Sequence, residues 1–114
     1  MRRLLLILFL AIALFQLTFT YPALAAETSN GAKIFSANCA SCHIGGGNIL
    51  VSEKTLNKEA LSKYLADYNT DSLQAIIHQI QNGKNAMPSF KNKLTPEEIL
   101  DVAAYVFQKA EQGW

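Results

Sequence analysis

An all-α domain is the fold class that this 114-residue sequence predicts. Four stretches carry apolar residues at three- to four-residue spacing, and none alternates convincingly as a strand. The last of them opens with a complete start signal, Thr95-Pro96-Glu97-Glu98. The first leads straight into the run Cys39-Ala40-Ser41-Cys42-His43.

Residues 1–25 read as a leader. Arg2 and Arg3 form a short positive region, and Leu4 to Phe19 is an almost unbroken apolar run. Ala23-Leu24-Ala25 supplies small residues at the two positions that signal peptidase reads. A membrane anchor is the alternative, but the run is somewhat short for a span of about 20 residues. Pro22 and the A-x-A site favour cleavage, and the arginine pair lacks a fuller twin-arginine context, which favours general secretion. Cleavage after Ala25 leaves one domain, 26–114. Without Arg2 and Arg3, eight lysines face nine Asp and Glu residues, a formal charge of −1. That balance argues against nucleic acid, which wants a clear basic excess. The protein core of so short a domain is thin by itself, and a large buried apolar cofactor would thicken it.

The first helix of the domain is expected from about Asn30 to Ala40, on Gly31, Ile34, Phe35 and Asn38. Gly45-Gly46-Gly47 then break the helix and permit tight turns beside a flat ligand. A phosphate-binding loop is rejected because its lysine and Ser/Thr are missing. A second helix is expected between Lys58 and Tyr68, with Leu61, Tyr64, Leu65 and Tyr68 on one face. A third follows from Asp71 on Leu73, Ile76, Ile77 and Ile80, with Gly83 as its stop. The segment Lys84–Leu94 has no apolar period and should be loop. The fourth helix buries Ile99, Val102, Ala103, Val106 and Phe107 behind the Thr95 cap.

Cys39-x-x-Cys42-His43 has the spacing of a c-type haem attachment site. Each cysteine can form a thioether to a porphyrin vinyl group, and the adjoining histidine can bind the iron. A thioredoxin-like motif needs a βαβ context that is not apparent. Structural zinc wants four Cys or His ligands, and the domain holds only Cys39, Cys42, His43 and His78. A disulfide closing a two-residue loop would constrain the fold little. Met87 is the candidate for the opposite face of the haem. It stands in a loop beside Pro88, which restricts it to an extended conformation, and it is the only methionine outside the leader. A gap-filling core methionine is the plainer reading. His78 is the rival ligand, more simply an edge-of-helix residue.

These residues resemble the cytochrome c6 family, small class I cytochromes c of cyanobacteria and algal chloroplasts. The likeness is carried by Asn30-Gly31-Ala32-Lys33-Ile34-Phe35-Ser36-Ala37-Asn38 ahead of the haem motif. Gln79 to Phe90, with Asn82-Gly83-Lys84-Asn85-Ala86-Met87-Pro88 inside it, is similar to the family's methionine loop. Asp101 to Val106 and Trp114 resemble its closing helix. The segment Leu65–Ser72 is longer than usual. The resemblance implies a class I cytochrome c fold, about four helices around one covalent haem c, with Gly31 letting Phe35 and Tyr105 approach where the first and last helices cross. It implies a monomeric one-electron carrier in the thylakoid lumen, or the periplasm of a bacterium. Its donor would be the cytochrome b6f complex and its acceptor photosystem I, with a terminal cytochrome oxidase as a further acceptor. Gln79 matches a glutamine that tunes the haem, and Lys93 matches a basic docking position at the haem edge. Lys84, Lys91 and Lys93 are otherwise ordinary solvated lysines.

Two other classes are weighed against a carrier. A haem enzyme needs an open iron position, which His43 and Met87 together would close. A sensor would instead keep an exchangeable ligand. A soft methionine sulfur favours ferrous iron and raises the potential.

Overall fold

The structure, a computed structural model, describes residues 1–17 and 22–114; the side chains of 16–27, the expected cleavage site Ala23-Leu24-Ala25 among them, lie outside the described residues. Among the described residues six α-helices follow one another: α1 Arg2–Leu17, α2 Pro22–Asn38, α3 Ala40–His43, α4 Lys58–Tyr64, α5 Ser72–Asn82 and α6 Pro96–Gln112. A 3-10 turn at Ile44–Gly46 follows α3. Among the described residues the only β-type pairing is an isolated bridge between Lys84 and Met87. The all-α expectation holds, and the four expected helices are α2, α4, α5 and α6.

Helix α6 is the spine of the core. Its capping box is complete: the Glu98 N–H donates to Thr95 Oγ1 at 3.1 Å, and the Thr95 N–H donates to Glu98 Oε2 at 2.8 Å. Such a cap contributes about 1 kcal/mol, and here it fixes the register of the face behind it. Ile99, Val102, Ala103 and Val106 are buried on that face, with Phe107 partly buried beside them. Helix α2 crosses α6 closely because Gly31 has no side chain. A Cβ there would collide with the Asp101 carbonyl and lie 2.8 Å from Tyr105 Cβ. Next to the crossing, Asn30 Nδ2 donates to Asp101 Oδ2 at 2.5 Å, and the Phe35 and Tyr105 rings lie 5.5 Å apart. Helix α5 buries Ala75, Ile76 and Ile80 in the same core, behind an N-cap in which Asp71 accepts from the Gln74 N–H.

Two helix boundaries differ from the sequence expectation. Helix α2 begins at Pro22 rather than near Asn30, and Asn38 is exposed, its amide donating back to the Ile34 carbonyl at 3.0 Å. Helix α4 stops at Tyr64 instead of Tyr68. Leu65 turns extended (φ −93°, ψ 120°) and Asp67 is left-handed (φ 62°), a conformation that an α-helix cannot contain. Tyr68 still reaches the core, 2% exposed, but from a loop, and Tyr64 points outward. The segment Leu65–Ser72 is a tight link, in which Ser72 Oγ donates to the Tyr68 carbonyl and Asn69 Nδ2 to the Ser62 carbonyl.

Helix α1 stands apart. Its side chains from Leu4 to Phe15 are exposed and contribute nothing to the core. No helix among the described residues is long and apolar enough to cross a membrane.

Candidate haem attachment site

Cys39 caps α3, and one helical turn separates it from Cys42 and His43. The Cys42 and His43 N–H groups both donate to the Cys39 carbonyl, at 3.2 and 2.9 Å. Residues three apart share a helix face, so the two thiols address one edge of a ligand. Cys39 is half-buried against the core and Cys42 is exposed. Burial, and then the neighbouring Cys42, push the Cys39 thiol up to about 11.

The His43 ring is fixed by its own loop. Nδ1 lies 2.9 Å from the Gly47 carbonyl. A carbonyl only accepts, so Nδ1 carries the proton and the Nε2 lone pair is left for a metal. The acceptor is in place because Gly45 and Gly46 both adopt positive φ (59° and 77°) and fold the 3-10 turn back on itself. The Ile49 N–H returns to the Cys42 carbonyl at 3.1 Å, and the Leu56 N–H to the Gly46 carbonyl at 2.7 Å. The apolar side chains of Ile44, Ile49 and Leu50 are exposed around this motif, at 72%, 61% and 65%.

Met87 lies 44 positions further on in the sequence and packs, partly buried, against the same core as Cys39. Its loop is a tight turn: the Lys84 and Met87 backbones exchange hydrogen bonds of 3.0 Å in both directions, with Asn85 at φ 54° between them. The turn is tied to the end of α5, where the Phe90 N–H donates to the Ile80 carbonyl at 2.9 Å and Ser89 Oγ donates to the Gln81 carbonyl. Gln79 Nε2 donates to Met87 Sδ at 3.5 Å. A thioether has two lone pairs, so one remains for a metal while the other is held by the amide.

Gln79 and Met87 are thus brought into direct contact, as are His43 and its loop. Lys93 is exposed, with its ammonium 5.4 Å from the centre of the Phe90 ring, in the segment that follows Met87. Lys84 and Lys91 are exposed on either side of that loop. His78 is exposed on α5, and its carbonyl accepts from Asn82. What sequence reasoning missed are contacts: the Gly47 carbonyl on His43, the Leu56 carbonyl on Trp114, and the packing of Trp114 on Gly46.

The donor set fits a c-type haem better than a bare ion. Among the described residues no three His, Cys, Asp or Glu side chains converge on one point. Two thiols on one helical edge, an oriented imidazole, an oriented thioether and an apolar flank suit a large flat apolar ligand that carries its own iron.

Comparison with known proteins agrees with the geometry. Residues 26–106 match the family model described as cytochrome C oxidase, cbb3-type, subunit III. A cytochrome c6 of Nostoc sp. is 55% identical over 114 residues, covering 100% of this chain and 99% of that one. A cytochrome c6 of Thermostichus vulcanus is 56% identical over 105 residues, covering 92% and 89%. Among solved structures, cytochrome c6 of the diatom Phaeodactylum tricornutum superposes with a TM-score of 0.73 at 54% identity, covering 76% of this chain and 98% of that one. The chain belongs to the cytochrome c6 family, electron carriers rather than enzymes, with one covalently bound haem c.

Proposed function

We propose that this chain is a soluble one-electron shuttle that takes electrons from the cytochrome b6f complex and delivers them to photosystem I. Cys39 and Cys42 would hold the haem by thioethers, and His43 Nε2 and Met87 Sδ would bind its iron. When bound, the haem supplies a reversible one-electron iron couple. The observation that carries this reading is the Gln79–Met87 contact, a sulfur oriented at its place before any ligand is considered. With both side chains on the iron there would be no open position for a substrate, which would separate a carrier from a haem enzyme.

The protein's own groups do the rest. His43 is held in one tautomer by Gly47, so the donor strength of Nε2 is set in advance. The Met87 sulfur, a soft donor, favours the ferrous state. Donation from Gln79 withdraws electron density from that sulfur and tunes the same balance. The buried faces of α2, α5 and α6 exclude water and penalise the extra charge of the ferric state. Lys93, at the rim, meets the partner. Transient encounters of this kind use small interfaces.

Residues 1–25 act as a cleaved leader, delivering the 26–114 domain to the thylakoid lumen or the periplasm. The family match beginning at residue 26 supports that boundary. N-terminal sequencing of the haem-loaded protein should begin at Ala26; a mature protein retaining Arg2 would favour a membrane anchor. The test of function is the rate of photosystem I reduction by the purified protein. Carbon monoxide or cyanide that binds readily to the resting protein would point instead to an open, enzyme-like haem. A second reading, delivery of electrons to a terminal oxidase, is supported by the family description of an oxidase subunit.

A further inference from the structure

We infer that Trp114 is a positioning residue for His43, acting through the glycine turn although 71 positions separate the two in sequence. The connection is a continuous run of contacts. The indole Nε1–H of Trp114 donates to the Leu56 carbonyl at 2.9 Å. The Leu56 N–H donates to the Gly46 carbonyl at 2.7 Å, and the next carbonyl, that of Gly47, accepts from His43 Nδ1 at 2.9 Å. The indole also lies flat against Gly46, so closely that a Cβ there would collide with the ring and sit 2.6 Å from its Cδ1.

The turn needs such a support. Gly45 and Gly46 are both left-handed and carry no side chains with which to pack. The backbone bonds of Gly47 to Ile44 and of Leu56 to Gly46 are what hold the turn from inside the loop. Trp114 supplies a rigid wall, itself fixed between Phe35 (5.2 Å between ring centres) and Tyr105 (6.0 Å), with the Lys109 ammonium 5.8 Å from its ring centre. Ring and hydrogen bond together set where the Gly47 carbonyl stands. That carbonyl sets the angle of the imidazole and how strongly Nδ1–H is held. A firmly held Nδ1–H makes Nε2 a stronger donor, which favours the oxidised state.

This inference rests on His43 being the haem ligand, and the test separates the two. In the reduced, nitrogen-labelled holoprotein, NMR reads the ring protons of His43 and the solvent exchange of its Nδ1–H. Trp114→Phe keeps an aromatic ring on Gly46 but removes the indole N–H. Ile99→Val, in the core of α6, serves as a control, compared at urea concentrations that equalise global stability. Trp114→Phe should speed His43 Nδ1–H exchange by about tenfold or more relative to Ile99→Val. It should also raise the reduced-to-oxidised ratio severalfold at a fixed solution potential. Exchange and ratio equal to those of the control would overturn the positioning role. If the wild-type His43 ring protons lack the large upfield shift of an imidazole stacked under a porphyrin, the ligand assignment itself fails, whatever Trp114 does.

Discussion

The segment that carries His43 and the loop that carries Met87, the two residues proposed to bind the haem iron, are built differently. On the histidine side the ring is gripped by a carbonyl four residues away, and the thiols are one turn of the same short helix. Support from outside arrives late in the chain, through Trp114 and Leu56. On the methionine side the sulfur sits on a tight turn closed by Lys84 and Met87 and tied to the last residues of α5, Gln79, Ile80 and Gln81. The histidine is thus held by its own loop, and the methionine by a helix end. The proposed thioethers at Cys39 and Cys42 would secure the first side further, whereas the second has only hydrogen bonds and packing. The sulfur should therefore be the ligand that yields first under strain, denaturant or heat.

Removing the sulfur is the largest break. Met87→Ala should abolish the weak far-red absorption of a sulfur–iron bond, open the iron to carbon monoxide and lower the potential. The drop should be a sizeable fraction of the roughly 0.8 V over which axial ligands move haem potentials. The haem should nonetheless stay attached under denaturing conditions, because Cys39 and Cys42 belong to the other side. A far-red band that survives Met87→Ala but is lost in His78→Ala would move the ligand to α5.

Next in size are the glycines, which test the two sides directly. Gly83 lies at φ 65°, ψ 179°, a region that only glycine populates readily, and a Cβ there would lie 2.6 Å from the Pro88 carbonyl carbon and 2.7 Å from the Ser89 nitrogen. Gly83→Ala should cost about 1–3 kcal/mol of strain and let the methionine loop swing, lowering the midpoint of the sulfur–iron band in urea ahead of global unfolding. Gly47→Ala is the matched change on the histidine side. Its φ is an ordinary −81°, and the new Cβ would meet only the Ile44 carbonyl at 3.2 Å. Its effect should be well under half as large. Equal losses in the two variants would mean that both loops are held alike.

The difference between the loops also explains what could be read in the sequence. The Cys39–His43 motif, the Thr95 capping box and the buried face of α6 are all short-range patterns, in which residues three or four apart face the same way. They were legible for that reason. The premature end of α4 was not, because it depends on Asp67 adopting φ 62°, which nothing in Leu65-Ala66-Asp67-Tyr68 announces. Tyr68 fits a helical period equally well from a loop. Trp114 meets Leu56 and Gly46 across 58 and more positions, and no periodicity encodes such a pairing. Met87 was legible as a residue type in a loop; the turn that aims it, with Asn85 left-handed, was not.

A smaller effect is expected at Gln79. Gln79→Val removes the donor to Met87 Sδ while filling similar space. The sulfur stays bound, so the far-red band should persist. A net hydrogen-bond contribution of about 0.5–1.5 kcal/mol corresponds to a potential shift of about 20–65 mV for one electron, read by spectroelectrochemistry. Withdrawing the amide N–H leaves the sulfur a stronger donor, which favours ferric iron, so the potential should fall. A rise, or no change, would mean that the 3.5 Å contact does not act on the sulfur's electrons.

The smallest intrinsic change is expected at Lys93, which lies outside both loops and serves as the limit of the comparison. Its ammonium, near the Phe90 ring, is exposed, so Lys93→Glu should leave the far-red band and the potential essentially as they are. What it reverses is a charge proposed to lie at the rim. With a formal charge near zero on residues 26–114, long-range steering is modest and a local charge carries more of it. Rim charges act mainly on association rate and its salt dependence. The second-order rate of photosystem I reduction should fall severalfold at about 10 mM salt, where the screening length is near 30 Å. At about 0.15 M, where that length shrinks to roughly 8 Å, the loss should nearly vanish. A rate unchanged at low salt would make Lys93 an ordinary solvated lysine. A loss that persists at high salt together with a shifted potential would have another cause: the methionine loop has moved, and the side held by α5 is more easily disturbed than its hydrogen bonds imply.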